Sequence, residues 1–225
     1  MHHIIKVLSI ASLLLILSAC QTSPTGRTQL LLVSDSDMDK MGAASFTDLK
    51  SKNKPSTDRS TIAYVQCISR PLLIAANENP SAWEIQVFND KSPNAFALPG
   101  NKIGVHTGMI NLAQNADQLA AVIGHEIGHV QAKHGAERVS LNMASQTAQQ
   151  VTAIAVNGTE YQGAAMAAIG LGAQYGLVLP YSRTHESEAD YIGLQIMANA
   201  GFNPQQAVEL WRTMAKAGGA KSPEF

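Results

Sequence analysis

The sequence predicts an α+β, mostly helical chain carrying one small sheet. Three observations lead there. Period-two alternation of apolar and polar residues is confined to residues 83–106, where three short strands follow one another. From Asn115 onward the apolar residues recur at helical spacing. The pentad His125-Glu126-Ile127-Gly128-His129 sits inside the first of those later helices, where two imidazoles four residues apart share a face.

Composition narrows the function classes. The 225 residues carry 16 Lys and Arg against 17 Asp and Glu, a formal charge of −1. A nucleic-acid binder normally carries a basic patch or stripe, so that partner class is set aside. Apolar residues make up 45% of the chain, enough for a core, and this excludes disorder for most of its length. Aromatics are only 5%, so Ala, Leu, Ile, Val and Met must build that core. Two cysteines, Cys20 and Cys67, are too few for a disulfide scaffold. Cys67 is expected buried in a helix, without chemistry.

The chain opens as an address. His2, His3 and Lys6 precede an apolar run from Val7 to Leu17, too short to span a bilayer and of the length of a signal-peptide core. The run ends in Leu17-Ser18-Ala19-Cys20, which resembles the lipobox of bacterial lipoproteins. That resemblance implies cleavage after residue 19 and lipid on Cys20. Gln21 follows where an Asp would mark inner-membrane retention, so an outer-membrane anchor facing the periplasm is expected. Residues 20–37 then read as a lipidated tether, and residues 38–225 as a single domain.

Each element has its own reason. Residues 36–51 form a helix with Met38, Met41 and Leu49 inward. After a polar loop around Pro55, Asp58 caps a helix to about Ala76, with Ile62, Val65, Ile68, Leu72 and Leu73 on its apolar side. Pro71 should kink or split it. Trp83–Phe88, Asn94–Leu98 and Ile103–His106 are strands, separated by the turn residues Asn89–Pro93 and Pro99-Gly100-Asn101-Lys102. Asn115 or Asp117 caps a helix over 116–137. A second helix covers 139–156 and breaks at Asn157-Gly158. A Gly/Ala-rich helix covers 160–178; Gly163, Ala167 and Gly170 suit close helix packing, and Gln174 with its glycines argues against a membrane span. Pro180 stops it. A helix over 183–199 closes at Gly201. Pro204 starts the last, with Ala207, Leu210, Trp211 and Met214 inward, ending at Gly218-Gly219.

The pentad carries the chemistry. His125 and His129 can both reach one zinc ion at about 2.0–2.1 Å. Glu126, beside them, can take a proton from water acidified by that ion and pass it to the leaving amine. A third ligand is required. His134, nine residues past His125, falls on the opposite side of a continuous helix and cannot supply it. Glu186 can: Glu186, Ala189, Asp190 and Gly193 share one face of the 183–199 helix. Asp190, one turn on, can accept the outer N–H of a ligand histidine. Ala189 and Gly193 let the two helices approach closely, while Glu188 points away into solvent. Tyr181, Arg183 and His185, just before Glu186, are candidate donors to a transition-state oxyanion.

Several stretches together resemble the gluzincin metallopeptidases of the HtpX and CAAX-prenyl-protease type, in their periplasmic lipoprotein branch, related to the mitochondrial inner-membrane quality-control peptidase. They are Asn94-Ala95-Phe96-Ala97-Leu98-Pro99-Gly100, Ile103 to Gly108, His125 to His129 with His134 to Arg138, and Ser182-Arg183 with Glu186, Ala189 and Asp190. The resemblance covers about residues 60–217. It implies one zinc per chain on His125, His129 and Glu186, Glu126 as general base, and endopeptidase activity on misfolded or surplus envelope proteins. It also implies that the strand bearing Asn94, Ala95, Phe96 and Ala97 is an exposed edge above the metal, open to an extended substrate. Asn101 stands where the family pattern often has Gly. The chain stops at Phe225 without the Thr-His-Pro segment common in relatives, as a fragment or as a short member. The rival reading from another class is a metal-stabilised lipoprotein that holds unfolded or misassembled envelope proteins without cutting them.

Overall fold

The computed structural model describes residues 20–173 and 179–216; the address at 1–19 and the expected stop at Gly218-Gly219 lie outside them. In chain order the elements are β1 (Cys20–Thr22), β2 (Thr28–Leu30), α1 (Asp35–Lys52), α2 (Arg59–Ala75), β3 (Glu84–Phe88), β4 (Ala95–Leu98), β5 (Lys102–His106), α3 (Thr107–Leu112), α4 (Ala116–Gln131), α5 (His134–Ala155), α6 (Gln162–Ala173), α7 (Leu179–Asn199) and α8 (Gln205–Lys216). The mostly helical α+β class is therefore observed. No helix among the described residues is long and apolar enough to cross a membrane.

The chain divides into two units. One draws on the stretch up to Ser34 and on Ala136–Pro180; the other on Asp35–Gly135 and the stretch from Tyr181 onward.

In the first unit, residues 20–30 form a hairpin: β1 and β2 pair antiparallel, with Cys20 opposite Leu30. Gly26, at φ +90°, takes a turn conformation that a Cβ would disfavour. Arg27 grips the buried Glu137 with two parallel bonds of 2.8 and 2.7 Å, and Gln29 adds a third at 3.2 Å. Leu32 N–H donates to Ser140 Oγ at 2.8 Å. Helix α6 differs from expectation. Among the described residues, a Cβ added at Gly163 or Gly170 would meet nothing within 4 Å, so these two glycines make no close approach to them.

The second unit holds the sheet and the core. Strand order is β3-β5-β4, with β3 parallel and β4 antiparallel to β5. Gly100 and Asn101 both adopt positive φ, +77° and +63°, in the turn that joins β4 to β5. Asn is one of the few non-glycine residues that tolerate this region, so it can stand where Gly is common. Val65, Leu72 and Leu73 from α2, Ile103 and Val105 from β5, and Leu119, Ile123 and Ile127 from α4 form the core with Met197 and Leu210. Phe46, Phe88 and Phe96 make an aromatic cluster with ring centres 6.0–6.3 Å apart.

Some local expectations change. Helix α1 buries Met38, Gly42 and Phe46, while Met41 is exposed. Gly42 lies so close to Pro99 that a Cβ there would collide with its carbonyl oxygen. Helix α2 runs unbroken through Pro71, capped by Asp58. Cys67 is exposed on α2, because α2 buries the stripe Val65, Ile68, Leu72 and Leu73, and position 67 falls outside it. Pro180 lies at the second residue of the described span of α7, and the end expected for the preceding helix at 178 falls in 174–178, outside the described residues.

Candidate metal centre

Helix α4 begins at Asn115, whose side chain accepts from Gln118 N–H at 2.9 Å. Its buried residues are apolar or glycine except for Gln118 and His125. Helix α7 comes in against that face at van der Waals limits. A Cβ on Gly193 would lie 2.7 Å from His125 N, and one on Gly128 would lie 2.8 Å from the Ala189 carbonyl oxygen. No side chain fits between the two backbones at these points, so glycine sets the approach.

That approach brings three ligand atoms together. His125 Nε2 and His129 Nε2 are 3.0 Å apart. Glu186 straddles them, with Oε2 3.3 Å from His125 Nε2 and Oε1 3.5 Å from His129 Nε2. Ligands about 2.0–2.1 Å from a tetrahedral ion sit about 3.3–3.4 Å from one another. The three observed separations bracket that value, and two imidazoles with one carboxylate are a donor set suited to zinc. These are the only three residues of their kind grouped to hold an ion among the described residues.

The outer nitrogens are also engaged. Asp190 Oδ1 lies 2.8 Å from His125 Nδ1. Burial opposes a charge on His125, but the Asp190 and Glu186 carboxylates outweigh it and raise its pKa to about 10. Burial would raise Glu186, yet hydrogen bonds from both histidines bring it well below the carboxylate range. Glu126 goes the other way. Its burial outweighs the neighbouring histidines and raises its pKa.

Glu126 Oε2 accepts from Ala97 N–H at 3.3 Å, which joins the metal cluster to the sheet. His106 N–H donates to the Asn94 carbonyl at 3.0 Å. With the observed register, this makes 94/106, 96/104 and 98/102 the hydrogen-bonded pairs. The N–H and C=O groups of Ala95 and Ala97 therefore point away from β5, along the outer side of an edge strand. The Phe96 ring turns the other way and packs over Gly104, into the aromatic cluster.

Two residues set aside from sequence are found beneath the centre. His134 is fully buried, its Nδ1 2.8 Å from His129 Nδ1. Its Nε2 lies 3.1 Å from Glu188 Oε2. The expected helix over 116–137 is not continuous: α4 ends at Gln131, Lys133 adopts φ +55°, and the chain turns back so that His134 returns under His129. Glu188 is buried, not solvated. Helix α7 buries a stripe through His185, Glu188, Ala189, Ile192 and Ile196, which packs His134 as well as α4. The spacing of that stripe was a usable signal; nothing about a lysine at 133 announces a left-handed turn. His185 stacks on His134, with ring centres 4.2 Å apart and planes at 18°. Arg183 is exposed. The side chain of Tyr181 lies outside the described residues.

Comparison with known proteins agrees with this architecture. The chain is 36% identical over 166 residues to the mitochondrial metalloendopeptidase OMA1 of Schizosaccharomyces pombe, covering 71% of this chain and 45% of the relative. It is 35% identical over 170 residues to the protein of that name from Arabidopsis thaliana, covering 76% of this chain and 31% of the relative. The β-barrel assembly-enhancing protease of Escherichia coli is 29% identical over 147 residues, covering 63% of this chain and 30% of its own length. The chain thus spans between about 30% and 50% of the length of the curated relatives it matches. The model of peptidase family M48 matches residues 59–224, which take in every residue of the centre described above, and the chain belongs to that family.

Proposed function

We propose that the chain is a zinc-dependent metalloendopeptidase acting on misfolded or surplus envelope proteins. His125, His129 and Glu186 hold one zinc ion, and Glu126 is the general base. The observation that carries this reading is the trio of ligand atoms 3.0–3.5 Å apart with a half-buried carboxylate, outside the trio, on the residue next to His125. A purely structural site has no use for that carboxylate.

Zinc supplies a Lewis acid that acidifies water and polarises a carbonyl. The protein supplies the rest. Burial raises the Glu126 pKa, so its carboxylate is a better base than a solvated one and can return the proton to the leaving amine. Asp190 fixes the His125 ring through Nδ1. The outward N–H and C=O of Ala95 and the outward C=O of Ala97 offer an extended peptide main-chain pairing beside Glu126, which already holds the Ala97 N–H. Such pairing asks little of substrate side chains, which suits clearance of many different unfolded chains. The relative named for β-barrel assembly supports an envelope setting. The Leu17-Ser18-Ala19-Cys20 sequence supports export, lipid on Cys20 and a place on the periplasmic face of the outer membrane.

The test is Glu126→Gln assayed on unfolded casein, with and without chelator. The variant is expected to keep zinc and lose cleavage by about a thousandfold, the range of general-base loss and more. Chelator-sensitive binding of casein by the wild-type protein without cleavage would replace the enzyme with the holding lipoprotein.

A further inference from the structure

The two histidines of the centre are supported differently. His125 faces a carboxylate directly, through Asp190. His129 faces another imidazole, and that imidazole faces a carboxylate. We propose that His134 is a positioning residue for the metal centre, a neutral acceptor that holds the His129 Nδ1–H and is itself locked in one tautomer by Glu188. The proposal rests on the reading that His129 is a metal ligand.

Each link forces the next. His129 Nε2 points to His125 Nε2 and Glu186, so that nitrogen gives its lone pair to the ion and the ring proton must sit on Nδ1. Its neighbour at 2.8 Å is His134 Nδ1, and two ring nitrogens at that distance share one proton. His134 Nδ1 must therefore accept, which leaves its own proton on Nε2. That nitrogen is 3.1 Å from Glu188 Oε2, an acceptor when ionised. The relay is thus His129 Nδ1–H to His134 Nδ1, and His134 Nε2–H to Glu188. Burial and the stack on His185 hold the His134 ring in place, so the relay has no room to rearrange. The left-handed turn at Lys133 is what delivers the ring to this position.

The test uses the full chain loaded with zinc. Two-bond proton–nitrogen NMR correlations of the wild-type protein should give His134 as the Nε2–H tautomer alone; an Nδ1–H tautomer overturns the proposal without any variant. Zinc affinity is then measured by competition with a chromophoric chelator at fixed pH. His134→Phe keeps ring volume and loses the acceptor, and should weaken zinc binding by about 10–100-fold. His134→Gln can accept from His129 and donate to Glu188, and should recover to within about threefold of wild type. Equal affinity of the phenylalanine variant and wild type overturns the proposal, as does equal loss in both variants. Glu186→Ala is the control: if it binds zinc as tightly as wild type, the ligand reading fails instead.

Discussion

At His125 the balance of burial against three neighbouring carboxylates decides how the centre takes up metal. A coordinating imidazole must be neutral, yet this ring has a pKa raised to about 10 in the metal-free protein. Zinc uptake must then expel a proton. Apparent zinc affinity is expected to rise about tenfold per pH unit between about pH 6.5 and 9, with about one proton released per ion. Calorimetry in buffers of different ionisation enthalpy measures that number, and a pH-independent affinity would contradict it. The same shift acts on stability with a definite sign. A raised histidine pKa stabilises the metal-free fold below the unfolded value near 6.5, and that contribution is lost as pH climbs toward about 10.

Between elements, the decisive contact is backbone against backbone. Gly193 on α7 and Gly128 on α4 leave no space for a side chain. Gly193→Val should drive the helices apart and take Glu186 away from the imidazoles. Zinc affinity is expected to fall by more than the roughly 10–100-fold typical of losing one supporting hydrogen bond. The helical content of the folded protein, read by circular dichroism, should remain. A valine variant that binds zinc like wild type would remove close approach from the account. Much of this was legible in the sequence, because it follows from spacing: the paired histidines, the face through Glu186, Ala189, Asp190 and Gly193, and the three strands. His134 and Glu188 were not, because the helical periodicity of the sequence runs on past Ala132. One positive φ at Lys133 undoes that assumption, and lysine carries no propensity that would signal it. Cys67 was misplaced for a related reason: α2 buries one stripe and leaves its other sides open.

On the scale of the molecule, the ionic contact inside the first unit is the test of how the N-terminal hairpin is held. Glu137 is fully buried, and Arg27 and Gln29 occupy its oxygens. Glu137→Ala should remove both bonds to Arg27 and the one to Gln29 and cost about 3–5 kcal/mol, the range for breaking a buried pair from one side. Urea denaturation measures it; a loss under about 1 kcal/mol would place the hairpin's stability elsewhere. Residues 20–30 escaped a structural reading in the sequence because strands of three residues carry almost no periodic signal.

The pairing of Cys20 with Leu30 has a mechanical consequence. Acyl chains fixed to that cysteine would hang from a residue already hydrogen-bonded into a ribbon, with no slack leash behind it. On the proposed lipidation, anchor and hairpin would be one continuous piece, without the play that a coil between them would allow.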